Sequence, residues 1–304
     1  MWKFILISIL LIAFVCSLPS LYAIELVPPK LTEVMKSNER RQKIILRKSN
    51  VTLPITSSRE DIWSYHTLQT SKSITISRYD SIELWVQEVD LTKGWYIKSI
   101  LTLGWYDEIS GEPLFARKKL SEVKSGLDDS PFSIINGQFF DPKRSITPLS
   151  FGVKVDGVVR TAWADNRDES KNILILEKNI ARIVPYSWVN LRDAPWYLAL
   201  VNLTLGKSHY PNEPIGRTYI CLKDPDSKNQ SSRLMIFTAT SITEATIESE
   251  LIRWGCTKSS SSKLDSSWST RLWVWWEYIF GKSHKWDPDY RSIPHSIALY
   301  DSQL

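Results

Sequence analysis

The sequence predicts an α+β protein built on an extended mixed sheet with a few packed helices. Three observations favour this class. Short runs of alternating apolar and polar residues, typical of strands, recur along most of the chain. Only one or two segments have the apolar spacing and flanking residues of a helix. With 43% hydrophobic residues, 23% charged residues and 11 glycines, the 304-residue chain is globular rather than disordered or collagen-like.

The first segment has the layout of a secretory signal peptide. A single Lys precedes a long apolar run, and a small residue stands at Ala23. Residues 1–23 therefore predict export to a secreted or other extracytoplasmic location. The apolar run over residues 4–15 is shorter than the ~20 residues that a spanning helix needs, so we expect no stable membrane span after cleavage.

The rest of the chain divides by composition. Residues 24–70 are polar and mixed and indicate an N-terminal appendage or linker, whereas residues 71–304 form the predicted main domain. After cleavage at Ala23, Cys221 and Cys256 remain. An oxidising compartment would allow them to form a disulfide, and two buried free thiols are the alternative.

Strand patterns follow one another through the main domain. Residues 81–91 and 95–106 each favour a strand, and residues 172–184 favour two. Residues 217–222 and 231–240 are apolar runs on either side of a turn-rich DPDSKN segment, so we expect them to be neighbouring strands.

Helical signals are few. Residues 117–127 favour a short helix that leads into the next strand. A second helix is marked more clearly, because Ser241 and Glu244 form a capping-box pattern and Gly255 supplies a C-terminal stop. The apolar residues between them share one helical face.

Two tight-turn signals lie between apolar runs. FGVKVDGVVR, residues 151–160, alternates around Asp-Gly and predicts a β-hairpin. FSIINGQFFD, residues 132–141, instead places Asn-Gly between adjacent apolar pairs, which is typical of a strand buried on both faces. Because this second stretch also ends on Asp141, it is a candidate for a role beyond that of a turn.

Several short motifs, taken in order, resemble the phosphodiester glycosidase family. They are INGQFFDP at residues 135–142, the VKVDGVV hairpin, GRT at 216–218, a capped helix ending in WGC at 254–256, LDSSWST at 264–270 and RSIPHSIALY at 291–300. The family pattern runs NGGFFD, a DG hairpin, RT after glycine, a helix ending in Gly-Cys, LDGGGSS and a closing strand with Asn-Ala. The resemblance covers roughly residues 70–301, nearly the whole of the main domain.

The resemblance implies a glycoside hydrolase that cleaves a glycosyl-phosphodiester bond in an exported or cell-envelope glycan or glycolipid. Such cleavage needs a group that manages protons, stabilisation of an oxocarbenium-like sugar, and donors for the phosphate. The catalytic candidates are Asp265 and Asp141. The predicted substrate-binding residues are Asn136, Gly137, Arg217, Thr218 and Trp268.

These roles suit the residue types, and plainer interpretations stand beside them. A guanidinium at Arg217 binds phosphate oxygens bidentately, the amide of Asn136 holds a hydroxyl or phosphate, and Gly137 lets a ligand approach the backbone. Taken alone, Arg217 is also consistent with a surface residue at a strand end. Asp141 before a proline is a common turn starter, and Asp265 is also placed to cap a helix.

The departures from the family pattern favour two other functions. Ser266, Ser267 and Trp268 stand where the family has three glycines, and Gln138 replaces the second glycine of NGG. His295 stands where the family has Asn. A relative that has lost catalysis would bind glycans through the Trp-rich residues 268–276 as a stacking platform, or would be a structural envelope protein that keeps only the fold.

Partners and cofactors are constrained by charge and spacing. A net charge of +5, spread along the chain, does not indicate a nucleic-acid binder. The expected partner, a glycan or glycolipid phosphodiester, is the one that the resemblance implies. The histidines and cysteines lack the paired spacing of a zinc site. The sequence identifies no cofactor and leaves open a divalent cation such as calcium, held by Asp carboxylates and backbone carbonyls.

Overall fold

A computed structural model describes residues 65–70, 74–79, 84–108, 111–127, 130–161, 171–177, 179–194, 198–206, 210–274, 277–278 and 291–301. These residues belong to one compact unit, Ser49–Leu304. The predicted signal peptide and most of the predicted appendage lie outside the described residues. Within the described part of the chain, no helix is both long and apolar enough to cross a membrane.

The described secondary structure consists mainly of short strands. They are β1 (Tyr65–Thr70), β2 (Ile74–Tyr79), β3 (Leu84–Asp90), β4 (Trp95–Leu101), β5 (Leu103–Tyr106), β6 (Pro113–Ala116), β7 (Ser133–Asn136), β8 (Ile146–Thr147), β9 (Val153–Val155), β10 (Val158–Thr161), β11 (Lys171–Leu176), β12 (Ala181–Pro185), β13 (Leu198–Thr204), β14 (Ile215–Leu222), β15 (Gln230–Ser231), β16 (Arg233–Ile242), β17 (Ser261–Lys263), β18 (Leu272–Val274), β19 (Glu277–Tyr278) and β20 (His295–Asp301). The helices are α1 (Leu120–Ser125), α2 (Trp188–Asp193) and α3 (Glu244–Arg253).

The strands form three sheets. The largest has twelve strands, in the order β1-β2-β3-β16-β14-β17-β13-β11-β12-β15, with β9 also paired to β13 and β10 to β9. A five-stranded sheet has the order β19-β18-β7-β20-β4, and a three-stranded sheet the order β5-β6-β8. The predicted α+β class with an extended sheet is confirmed. The predicted sheet was mixed, whereas the described pairings are antiparallel.

The large sheet buries both faces. On one face, Ile220 and Ile236 belong to the same apolar core as Ile134 and Ile297 of the five-stranded sheet. The opposite face packs against α3, through a second core that includes Tyr219, Phe237, Ile247 and Leu251. Because successive residues of a strand project to opposite faces, neighbouring residues of β14 reach two different environments.

Most of the predicted strands are confirmed, with changes at their ends. The segment at residues 172–184 forms the antiparallel pair β11 and β12, and β14 and β16 are neighbours as predicted. The single strand predicted over residues 95–106 is instead two strands, β4 and β5, which belong to different sheets and are interrupted at Thr102. The hairpin at residues 151–160 is confirmed.

The second predicted helix is confirmed, but its start is corrected. The N-cap of α3 is Thr243, whose side chain accepts the Thr246 backbone N–H, rather than Ser241, whose hydroxyl donates to the Pro214 backbone oxygen. Strand β16 runs on to Ile242, and this delays the start of the helix. Gly255 follows the C-cap with φ +83°, as its predicted stop role requires.

Cys221 and Cys256 form a disulfide. The bond joins β14 to the segment directly after α3 and thereby fixes the helix to the large sheet. Of the two alternatives that the sequence left open, the structure has the bridge.

Candidate active site

Asn136 lies at the end of β7 and connects three parts of the chain. Its Nδ2 donates to the Asp265 backbone oxygen at 2.7 Å. Its Oδ1 accepts from the Thr218 hydroxyl at 2.8 Å and from the Arg271 backbone N–H at 3.1 Å. The residue is 1% exposed, so these partners fix the orientation of the amide. Asn136 therefore ties the large sheet to the five-stranded sheet and to the loop that carries Asp265.

The next residue must be glycine because His295 packs directly against it. A Cβ added at Gly137 would lie 2.3 Å from His295 Nδ1. That nitrogen accepts the Gln138 backbone N–H at 3.0 Å, and Nε2 lies 2.8 Å from the Ser99 hydroxyl. The ring proton is thus assigned to Nε2, which donates to Ser99. Burial lowers the pKa of His295 to about 3, so the ring is neutral.

Gln138 has a structural use. Its side-chain Nε2 donates to the Val201 backbone oxygen at 2.9 Å and to Asn202 Oδ1 at 3.1 Å, both on β13. The residue that replaces a family glycine therefore links the turn to the large sheet.

Asp265 supplies the buried carboxyl of this region. Its backbone N–H donates to the Gly137 oxygen at 3.0 Å, which fixes the loop to the turn. Burial raises the pKa of the Asp265 carboxyl to about 6. Hydrogen bonds from the Ser269 hydroxyl and the Ser266 backbone N–H, and then the positive charge of Arg291, oppose that rise. This carboxyl therefore exchanges its proton near pH 6, which suits acid-base or charge-stabilising chemistry.

The loop after Asp265 keeps a conformation that favours glycine. Residues Ser267–Ser269 form a 3-10 turn. Ser266 is extended, with φ −135°, whereas Ser267 has φ +63°, in the left-handed region. Ser267, unlike Ser266, thus has a strained backbone conformation. The side chain of Trp268 lies outside the described residues, and its predicted stacking role stays a prediction.

Gly216 allows this turn to lie against β14. A Cβ at Gly216 would come within 2.5 Å of the Ser267 backbone oxygen and 2.8 Å of the Thr270 Cβ. The glycine of the GRT motif is therefore required by packing rather than by its own backbone angle.

A cationic group stands beside Asp265. The Arg291 guanidinium lies 5.5 Å from the centroid of the Phe140 ring and is close enough to Asp265 to lower the pKa of its carboxyl. Arg117 lies over the same ring at 5.3 Å, but it donates to three backbone oxygens in neighbouring loops. Within the described ranges, Arg291 pairs with no carboxylate and donates no hydrogen bond, which leaves its donors for a ligand.

Arg217 does not join this group. It is fully buried on the α3 face of the sheet, where it forms an ion pair with Glu244. Its other donors bind the Ile242, Tyr210 and Glu213 backbone oxygens at 2.6–3.1 Å. Thr218, one residue later, projects to the opposite face and reaches Asn136. Of the two predicted neighbours, therefore, only Thr218 lies at the site.

Asp141 has the contacts of a turn residue. Its Oδ1 accepts the Lys143 backbone N–H at 2.9 Å, and its Oδ2 lies 3.6 Å from Arg144 Nε. The side chain is 41% exposed. Of the two predicted carboxylates, Asp265 is the one that the structure brings to Asn136 and Gly137. Across the described residues, no group of His, Cys, Asp and Glu side chains is placed to hold a metal ion.

The sequence reasoning missed Arg291, Ser269 and His295 as parts of this region. Arg291 opens the RSIPHSIALY motif, and a charged residue four positions before a buried strand was the available signal. Ser269 was present in LDSSWST. His295 was noticed as a departure from the family, yet its role depends on contacts with residues 157 and 196 positions away.

Comparisons with known proteins support the fold. No protein-family model and no curated protein sequence matches the chain. Among solved structures, it is similar to the catalytic domain of zebrafish N-acetylglucosamine-1-phosphodiester alpha-N-acetylglucosaminidase, auto-inhibited by its pro-peptide, with TM-score 0.52 and 12% identity over 81% of this chain and 85% of that one. A hypothetical protein from Synechocystis gives TM-score 0.46 and 8% identity over 78% and 63%. A Burkholderia pseudomallei protein described as exported gives TM-score 0.43 and 10% identity, over 74% of this chain and 76% of that one. The chain thus shares the fold of the zebrafish domain.

Proposed function

We propose that the protein is a glycoside hydrolase that cleaves a glycosyl-phosphodiester bond in a glycan or glycolipid outside the cytoplasm. The observation that carries the proposal is a buried carboxyl, Asp265, with the guanidinium of Arg291 near enough to influence its pKa. The name of the zebrafish domain, which has the same fold, gives the reaction class. The layout of residues 1–23 supports the location.

One carboxylate beside one cation suits this reaction. Ordinary glycosidases use two carboxyl groups, because an alcohol leaving group must be protonated. A sugar-1-phosphate diester instead releases a phosphate monoester, whose second pKa is about 6, so it leaves without a strong acid. Asp265 in its ionised form then stabilises the cationic sugar or activates the attacking water, and Arg291 binds the departing phosphate.

The remaining residues hold these two groups in place. Asn136, through Nδ2, and Gly137, through its backbone oxygen, anchor the Asp265 backbone. The Ser269 hydroxyl orients the carboxyl. The Phe140 ring supports the guanidinium of Arg291. Arg217 is left out of the proposed substrate contacts because Glu244 and backbone oxygens occupy its donors.

The test is release of free sugar from a panel of sugar-1-phosphate diesters by the purified protein. We expect Asp265→Asn to lower kcat by at least about 100-fold and Arg291→Gln to lower kcat/KM by about 100-fold or more. Asp193→Asn, which changes an exposed carboxylate paired with Arg192, serves as the matched control and should retain activity. Full turnover in both site variants, or no turnover of any diester by the wild type, would reject the proposal.

The pH dependence of the same reaction is a second measurement. Because ionised Asp265 is the active form and burial raises its pKa to about 6, kcat should rise with pH through about 6 and then level off. A rate that falls as pH rises through 6 would instead assign Asp265 the role of a proton donor.

A further inference from the structure

Arg271 is a buried cation that has no acidic partner among the residues that the structure describes. The residue is 4% exposed. Its Nη1 donates to the backbone oxygen of the preceding Thr270 at 2.8 Å, and its Nε–H meets no acceptor among the described residues. It also forms no ion pair with a carboxylate in the described part of the chain. Buried guanidinium groups are normally paired, because removing an uncompensated charge from water costs several kcal/mol.

A second unpartnered donor lies across the sheet from it. Ser296 on β20 pairs with Asn136 on β7. On the other side of β7, Leu272 of β18 pairs with Ile135 in an antiparallel register. Arg271, directly before β18, therefore lies opposite Asn136. Ser296 is 1% exposed, and within the described residues its hydroxyl has no hydrogen-bond partner.

These positions bring the two donors within reach of one ligand. Residues opposite each other on adjacent strands share a face of the sheet, and adjacent strands lie about 4.8 Å apart. Arg271 and Ser296 therefore start about 10 Å apart, with Asn136 between them. An oxyanion beside Asn136 has several acceptor oxygens, so one such group can accept from donors on both sides.

We propose that Arg271 and Ser296 form a binding site for an oxyanion, a phosphate or a carboxylate, beside Asn136. The planar guanidinium and the hydroxyl are the donors that such a group requires, and the anion would neutralise the buried charge. The inference rests on this uncompensated charge and not on the hydrolase activity proposed above. The oxyanion comes either from an acidic group of the substrate or from free phosphate.

The first experiment is calorimetric titration of the full chain with inorganic phosphate, in a buffer free of other oxyanions. Arg271→Met keeps much of the side-chain volume and removes the charge, so phosphate should bind at least about tenfold more weakly to it than to the wild type. Ser296→Ala should also weaken binding, and it keeps the test valid should the first variant fold poorly. Arg233→Gln, which removes a guanidinium paired with Glu88, should bind like the wild type.

Stability gives an independent readout of the same site. Without phosphate, Arg271→Met should have a higher Tm than the wild type, because an unpaired buried charge is gone. Added phosphate should raise the wild-type Tm and close that gap. Phosphate binding equal in the wild type, Arg271→Met and Ser296→Ala would overturn the proposal, and so would the absence of any binding to the wild type.

Competition then separates the two sources of the anion. A uronic acid that displaces phosphate from the wild type assigns the site to a substrate carboxylate, and a sugar phosphate that does so assigns it to a substrate phosphate. Displacement by neither assigns it to free phosphate. Each of these results supports the site. Because none of them depends on turnover, a failure of the hydrolase proposal can be told apart from a failure of the anion site.

Discussion

At the scale of single residues, Asp265 shows the cost of keeping an acid inside a protein. An unperturbed aspartate has a pKa near 3.8, whereas burial raises that of Asp265 to about 6. The folded state thus binds the proton more tightly than the unfolded state does. The ionised form is destabilising by about 3 kcal/mol above pH 6, at 1.36 kcal/mol for each unit of pKa. That cost disappears as pH falls below about 4, where the unfolded carboxyl is protonated too.

Asp265→Asn should therefore stabilise the protein while it abolishes the proposed activity. Relative to the wild type, the gain in the free energy of unfolding should be about 2 kcal/mol larger at pH 8 than at pH 4. Urea denaturation at the two pH values measures it. A gain that does not change with pH would show that the carboxyl titrates normally in the folded state.

Ser267 is a second residue at which the chain bears strain. A left-handed conformation costs a non-glycine residue about 1 kcal/mol or more. Glycine avoids this cost, but it loses more conformational entropy on folding, which offsets part of the gain. Ser267→Gly should raise the free energy of unfolding by about 0.5 kcal/mol, as measured by urea denaturation.

The neighbouring serine provides the matched control. Ser266 is extended, so Ser266→Gly relieves no strain and should lower the free energy of unfolding by about 0.5–1 kcal/mol. Equal effects of the two glycines would contradict a left-handed Ser267.

At the scale of elements, β14 shows why adjacent residues of one motif have different roles. Because successive side chains of a strand point to opposite faces of the sheet, the Arg217 side chain lies on the face that packs against α3. The Thr218 side chain lies on the other face, next to Asn136. On the α3 face, Glu244 accepts from Arg217, Tyr219 and Lys263, so one buried carboxylate holds three neighbours. The GRT motif thus contributes to the helix attachment and to the candidate site at once.

The first residue of that motif controls how closely the Asp265 loop approaches the sheet. Gly216→Ala should lower the free energy of unfolding by about 1–3 kcal/mol, because its Cβ would overlap the Ser267 backbone oxygen and force the loop outward. Gly126→Ala is the control, since its Cβ would meet its nearest atoms at 3.4 Å and 3.6 Å. A loss no greater in Gly216→Ala than in Gly126→Ala would mean that the loop adjusts without cost.

At the scale of the whole molecule, a disulfide and a few buried polar contacts add to the apolar cores that join two sheets and a helix. The Cys221–Cys256 disulfide closes a loop with a sequence separation of 35. Cross-linking a loop of that length stabilises the folded state by about 4 kcal/mol, mainly by restricting the unfolded chain.

Replacing both cysteines by alanine should therefore lower the free energy of unfolding by up to about 4 kcal/mol. A reducing agent should destabilise the wild type by a similar amount and leave the double variant unchanged. Urea denaturation with and without reductant measures both effects. An equal response of the two proteins to the reductant would show that the disulfide does not form.

The local features of this protein could be predicted from its sequence alone. Alternating apolar residues located most strands, Asp-Gly located the hairpin, and Gly255 located the end of α3, because each depends on backbone preferences within a few residues. The order of short motifs predicted the fold shared with the zebrafish domain. It also drew attention to the Asn136-Gly137 turn and to Asp265.

The tertiary structure decided which of these groups meet. Asn136 bonds to the Asp265 backbone across 129 positions, and Arg291, in the segment before β20, opposes the rise in the pKa of Asp265. Arg217 was expected with them and is instead held by Glu244 on the other face. Which face of a strand is buried against a helix, and which charges are left unpaired, depends on how the sheets pack, and no local pattern in the chain records that packing.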